Sequence, residues 1–173
     1  DRQHYLLVDS SATSTANLEW FLTNLLRDPH DYERFSQSIA DPEQGNEIVF
    51  VPFIYGGFGS ENPGGSLHGL RSHHTDEDVL RAVAEGILFA QRYHVESIKE
   101  ESPNPTSVLA TGGGSRSLKL CQMLADILQL EVRLPQSQET GILGDCVLAA
   151  HGAGVFRSLD ESVRAFVKTK KRL

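Results

Sequence analysis

A chain of 173 residues with 39% hydrophobic and 23% charged residues has the balance of one globular domain spanning residues 1–173, and this excludes a disordered or fibrous protein. Its formal charge of −7 opposes phosphate backbones and anionic lipid surfaces, so no nucleic acid or membrane partner is expected. The basic cluster Lys168, Lys170, Lys171 and Arg172 reads as a solvated tail.

The opening residues, Asp1-Arg2-Gln3-His4, resemble neither a signal peptide nor a transit peptide. No apolar run approaches the ~20 residues of a bilayer-spanning helix. The chain lacks an initiator Met and enters the apolar stretch Tyr5-Leu6-Leu7-Val8 almost at once, which reads as a cut piece of a longer protein. Residues 5–8 are expected as a short strand, followed by a Ser/Thr-rich turn with several possible helix caps. Leu18, Phe21, Leu22 and Leu25 recur at helical spacing and predict a helix over residues 17–27, stopped by Asp28-Pro29. A polar stretch with Tyr32 and Phe35 then leads through a turn at residues 41–46 to a strand at 47–51.

Gly56, Gly57, Gly59, Gly64 and Gly65 mark a loop, which stands either as plain surface or as a close approach to a ligand. A strand is expected next, over residues 66–70. Thr75-Asp76-Glu77-Asp78 has the layout of a capping box and opens a long helix to about Ile98, with Val79, Val83, Ile87, Ala90 and His94 near one face. Gly86 lies between them, where another element is expected to approach closely. Pro103 and Pro105 break the helix before a buried strand at 107–111, and Gly112-Gly113-Gly114 leads directly into a further helix capped by Ser115 or Ser117. A half-exposed strand at 130–134, a small-residue helix at 140–155 and a short amphipathic helix at 159–167 complete the order. Cys121 and Cys146 fall in helical, apolar segments and read as buried thiols, neither a disulfide nor a metal pair, in a reduced, cytoplasmic setting. The pattern is that of a mixed α/β layer structure with helices against a sheet.

The sharpest feature is the strand-loop-helix unit from Val108 to Ser117. Three glycines expose backbone N–H groups, and the following helix aims the positive end of its dipole at the loop, so an anionic occupant is natural. A tight strand-to-helix connection is the alternative. A Walker loop fails because Gly114-Ser115-Arg116 stands where Gly-Lys-Ser/Thr is needed. A dinucleotide fingerprint needs glycine at Ser117 and an acid closing the next strand, whereas Glu131 opens it. His73 and His74 are adjacent in a turn and the other histidines are scattered, so spacing indicates no metal site. No Gly-x-Ser-x-Gly elbow is present. Glu139 precedes a helix whose first turn it favours electrostatically.

Several segments together resemble the FGGY carbohydrate kinases. Gly65-Ser66-Leu67-His68-Gly69-Leu70, a spacer and Asp78-Val79-Leu80-Arg81-Ala82-Val83-Ala84-Glu85-Gly86 look like the family's carboxy-terminal signature. Thr111-Gly112-Gly113-Gly114-Ser115-Arg116-Ser117 with Cys121-Gln122-Met123-Leu124-Ala125-Asp126 is similar to its glycine loop and the helix after it. Ser14-Thr15-Ala16-Asn17-Leu18-Glu19-Trp20 is similar to the segment opening its second domain, so the likeness spans residues 5–167.

The resemblance implies an α/β domain of the actin-like ATPase (ribonuclease H-like) fold, with a mixed sheet and flanking helices. It also implies the carboxy-terminal, nucleotide-binding half of a sugar kinase that uses ATP with Mg²⁺ held through the phosphates. In this reading Gly112, Gly113 and Gly114 approach the nucleotide near its ribose and α-phosphate, Ser117 faces adenine, and Thr15 and Glu19 line the other side of the base pocket. The catalytic base and most sugar contacts belong to an amino-terminal domain outside this chain, so the piece alone should not turn over. Tyr55-Gly56-Gly57-Phe58 and Glu139-Thr140-Gly141-Ile142-Leu143-Gly144 look most like the L-xylulose kinases, and a homodimer fits the family. A non-catalytic assembly module of the same fold is the alternative, with Arg116 beside the glycines as a side chain able to fill the pocket.

Overall fold

The computed structural model describes residues 6–10, 12, 14–41, 45–57, 63–101 and 105–173. Tyr5 of the expected first strand, the turn positions Ser11 and Thr13, part of the 41–46 turn, Gly59 and the breaker Pro103 lie outside the described residues. The chain divides into two compact units, Asp1–Pro105 and Thr106–Leu173.

The first unit is organised on one long helix. Its elements are α1 (Ala16–Asn24), α2 (Tyr32–Ser38), β1 (Val49–Val51), β2 (Ser66–His68) and α3 (Asp76–Glu101). At the start of α3, Thr75 donates its N–H to Asp78 Oδ2 at 2.8 Å, the reciprocal cap that the spacing predicts. Leu80, Val83, Ala84, Ile87 and Leu88 are buried on α3, and Leu18, Phe21, Leu22, Phe35, Ile39 and Phe50 complete the core from α1, α2 and β1. Phe21 meets Phe50 edge to face at a centroid distance of 5.1 Å. A Cβ at Gly86 would collide with the Phe50 carbonyl oxygen, so this glycine lets α3 lie directly on the β1 backbone, the close approach expected of it.

β1 and β2 pair antiparallel with Val49 opposite His68 and Val51 opposite Ser66. Residues 6–8, part of the expected opening strand, carry no regular secondary structure. Asp9 is nonetheless tied to α3, with its Oδ1 3.1 Å from His94 Nδ1. Helix α2 was not anticipated. Asp31 accepts the Arg34 N–H at 3.0 Å as its cap, and Phe35 supplies its buried anchor.

The second unit contains β3 (Ser107–Leu109), a 3-10 turn (Gly113–Arg116), α4 (Leu118–Leu128), β4 (Glu131–Pro135), α5 (Thr140–Gly152), α6 (Leu159–Phe166) and β5 (Thr169–Arg172). β3 and β4 run parallel, joined through α4, and β5 pairs antiparallel on the other side of β4. Val132 and Leu134 alternate inward from β4 onto Cys121 and Ala125 of α4, with Leu173 packed against the same cluster.

Two expectations are corrected here. The basic tail is not merely a solvated end: residues 169–172 form β5, and Leu173 and Val132 exchange N–H···O bonds of 2.9 and 3.0 Å. Cys146 is exposed while Cys121 is buried, because α5 buries only Val147; both thiols are free. Gly141, Gly144 and Gly152 of α5 have open space where a side chain would stand.

Candidate functional site

The loop after β3 is built by a short run of local bonds. Ala110 extends the parallel ladder by donating its N–H to the Arg133 carbonyl at 3.0 Å. Gly112 then turns the chain at φ +82°, a region that side-chain-bearing residues rarely enter, so this glycine is required by the backbone itself. Ser115 donates to the Gly112 carbonyl from its hydroxyl at 2.7 Å and from its N–H at 3.2 Å, and the Ser117 N–H closes onto the Gly114 carbonyl at 3.2 Å. Ser117 also caps α4, its hydroxyl accepting the Leu120 N–H at 3.3 Å.

Thr111, Gly112 and Gly113 are exposed, and a Cβ added at Gly112 or Gly113 would meet no atom within 4 Å. Among the described residues, the Gly113 and Gly114 N–H groups make no hydrogen bond. The loop thus presents unspent donors and open space at the amino end of α4, the arrangement that favours an anion. Arg116 does not close it. Its side chain is 64% exposed and turns towards Glu139, with its Nη2 3.8 Å from the carboxylate. Glu139 itself occupies the cap position of α5 without a side-chain cap bond.

Beside the loop lies a cavity of about 230 Å³ whose lining includes Ser115, Arg116, Gln136, Gln138, Lys170 and Lys171. Three cations and two amides make this a positive recess in an acidic protein, and β5 places the two lysines there. Under the loop, burial pushes the Cys121 thiol above its usual range, with Lys171 opposing the shift. The larger cavity, about 450 Å³ in the first unit, is lined by Phe50, Phe53, Phe89, Tyr93 and other apolar groups with Glu85 as its acid, and it offers a phosphate no cation. Burial raises the Glu85 carboxyl against the opposing pull of Arg81.

The sequence-predicted residues fall into two groups. Gly112, Gly113, Gly114 and Ser117 form the loop and cap of the second unit. Thr15 and Glu19 stand one turn apart on α1 of the first unit, both exposed, with the Glu19 N–H bonded to the Thr15 carbonyl at 3.1 Å. Lys170 and Lys171 were missed as site neighbours, because only the pairing of β5 with β4 brings them to the loop.

Residues 1–153 match the model of the FGGY family of carbohydrate kinases, C-terminal domain. The chain belongs to the FGGY family of carbohydrate kinases. It is similar to a probable L-xylulose kinase of Pasteurella multocida, at 34% identity over 86% of this chain and 30% of that protein. It is also similar to the L-xylulose/3-keto-L-gulonate kinase of Escherichia coli, at 31% identity over 92% of this chain and 32% of that protein. The chain therefore spans less than a third of the length of these relatives. Among solved structures, the xylulose kinase of Rhodospirillum rubrum superposes with a TM-score of 0.75 at 26% identity, covering 91% of this chain and 33% of its own. Plasmodium falciparum glycerol kinase, solved with ADP, has a TM-score of 0.77 at 22% identity over 91% of this chain and 32% of its own, a likeness of fold alone. The α/β fold expected from the sequence is thus the fold of this family's structures.

Proposed function

We propose that this chain is the nucleotide-binding part of an enzyme that phosphorylates a sugar hydroxyl, a ketopentose such as L-xylulose, at the expense of ATP. The observation that carries the reading is the open loop at Gly112–Gly114, with free N–H donors at the mouth of α4. The names of the relatives supply the reaction class and the sugar. ATP, once bound, would supply the phosphoryl group, and Mg²⁺, held through the phosphates and not by residues of this chain, would neutralise part of their charge. Phosphoryl transfer is mainly positioning and charge stabilisation, so a domain that holds the donor need not carry a base.

The chain's own contribution is then to orient. Gly113 and Gly114 N–H groups serve the ribose and α-phosphate and Ser117 the adenine, the roles that the family resemblance gives them, and the same resemblance assigns Thr15 and Glu19 to the nucleotide. Arg116, Lys170 and Lys171 add positive potential beside the loop. The carboxylate that accepts the sugar proton belongs to the amino-terminal domain of such an enzyme. The two free thiols fit a reduced, cytoplasmic setting.

The test uses a steric probe that the backbone tolerates. Gly113 lies outside the left-handed region and has open space beside it, so Gly113→Trp should leave the melting temperature unchanged. Titration of the chain with ADP should shift the amide NMR signals of residues 112–117, and Gly113→Trp should abolish those shifts. Loop signals that stay still at millimolar ADP would count against the site.

A further inference from the structure

In the first unit, the turn before α3 holds a cluster of its own. β2 ends at His68, and Gly69 at φ +83° brings the chain back so closely past Glu47 that a Cβ there would collide with the Glu47 carbonyl oxygen. The next turn is locked from both sides. The His74 N–H bonds to the Arg71 carbonyl at 3.2 Å, and the Arg71 N–H bonds to His74 Nδ1 at 3.0 Å. The Thr75–Asp78 cap fixes the exit into α3, and the rings of His73 and His74 stand 4.3 Å apart between centroids. One ligand-capable atom each from Glu47, His73 and His74 lies within 4.8 Å of the others. Backbone geometry therefore gathers a carboxylate and two imidazoles that stand 26 and 27 positions apart in sequence (73 − 47 and 74 − 47).

The geometry points to a binding site for a late first-row divalent cation of the zinc type, held by Glu47, His73 and His74 with water completing the shell. Two nitrogen donors and one oxygen donor suit zinc, nickel or copper; magnesium and calcium demand oxygen sets. Tetrahedral coordination at ~2.0–2.1 Å places ligand atoms about 3.3 Å apart, so groups already within 4.8 Å of one another need close by no more than about 1.5 Å. Glu47 and His73 are exposed and His74 is half-buried, so side-chain rotation alone provides the movement. Two existing contacts compete with the ion. Arg71 Nε lies 3.4 Å from the Glu47 carboxylate, and His74 Nδ1 already accepts an N–H. Coordination by His74 therefore either displaces the Arg71 N–H at Nδ1 or removes a proton at Nε2. Occupied, the site clips the start of β1 to the turn that launches α3.

The experiment is calorimetric titration of the tag-free chain with zinc, alongside Glu47→Gln, His73→Ala and His74→Ala. The expected result is one saturable equivalent, weakened roughly tenfold or more by each change. Zinc should also raise the melting temperature of the unaltered chain, and magnesium should not. His74→Ala removes a bond within the turn, whereas His73→Ala and Glu47→Gln alter exposed groups, so these two decide the matter if the first variant folds poorly. No saturable zinc binding, or binding that survives both of those changes, overturns the proposal.

Discussion

Cys121 and Cys146 show how the surroundings of a side chain set its chemistry. Cys121 is buried beneath the glycine loop, its Sγ 3.9 Å from the Gly114 carbonyl oxygen and 3.7 Å from that of Ser115, and burial disfavours its thiolate. Cys146 is exposed on α5. A thiol reagent should therefore label Cys146 quickly in the native chain and reach Cys121 only in denaturant, as peptide mapping by mass spectrometry would show; two fast thiols would contradict the packing of α4 on β4. At the same scale, Asn17 is wholly buried, its Nδ2 donating to the Ser14 carbonyl at 3.1 Å while its Oδ1 has no partner among the described residues. It lies between Thr15 and Glu19 in the chain, and its burial helps explain why those two face outward from α1.

Among the described residues, α3 takes part in several ion pairs. Arg34 of α2 pairs with Asp76 and Glu77 in its first turn, where acids also complement the helix dipole. The Glu77 carboxyl is held at about 2, chiefly by its own backbone N–H and next by Arg34. Because the folded value lies below the unfolded 4.5, this stabilisation is complete above about pH 4.5 and is lost as pH falls towards 2. Both side chains are a third or more exposed, so solvent screening leaves the pair only a small share in stability. Arg34→Ala should raise the Glu77 midpoint part-way towards 4.5 in an NMR pH titration, and an unmoved midpoint would remove Arg34 from the account.

Long periodic runs were legible as elements. The α3 face, the Thr75 cap and the Gly86 approach all follow from spacing, as does the β3–loop–α4 unit. Short elements that depend on tertiary partners were not. α2 offers only Tyr32 and Phe35 as apolar signals, and β5 reads Thr-Lys-Lys-Arg, a pattern that becomes a strand because β4 has an open edge to offer. Cys146 was misplaced because the apolar content of α5 does not all face inward. At the site, the glycines and the Ser117 cap were visible in the sequence, while the lysines on β5 and Glu47 beside its histidines are non-local and left no spacing to read.

At the scale of the whole chain, the likeness to the relatives covers less than a third of their length. An FGGY chain covering less than a third of those proteins, and carrying no residue that the family resemblance marks as the base, should release no ADP in the presence of ATP and L-xylulose. Supplying the polypeptide that precedes this region in the relatives should restore turnover in a coupled ADP assay, and activity by the chain alone would relocate the chemistry. One practical matter follows from Leu173. Its main chain is laced to Val132 in both directions and its side chain sits with Cys121 and Ala125, directly under the loop. Any change at residue 173 would therefore be felt by the Val132 main chain and by Cys121, whose sulfur lies under the Gly114 and Ser115 carbonyls.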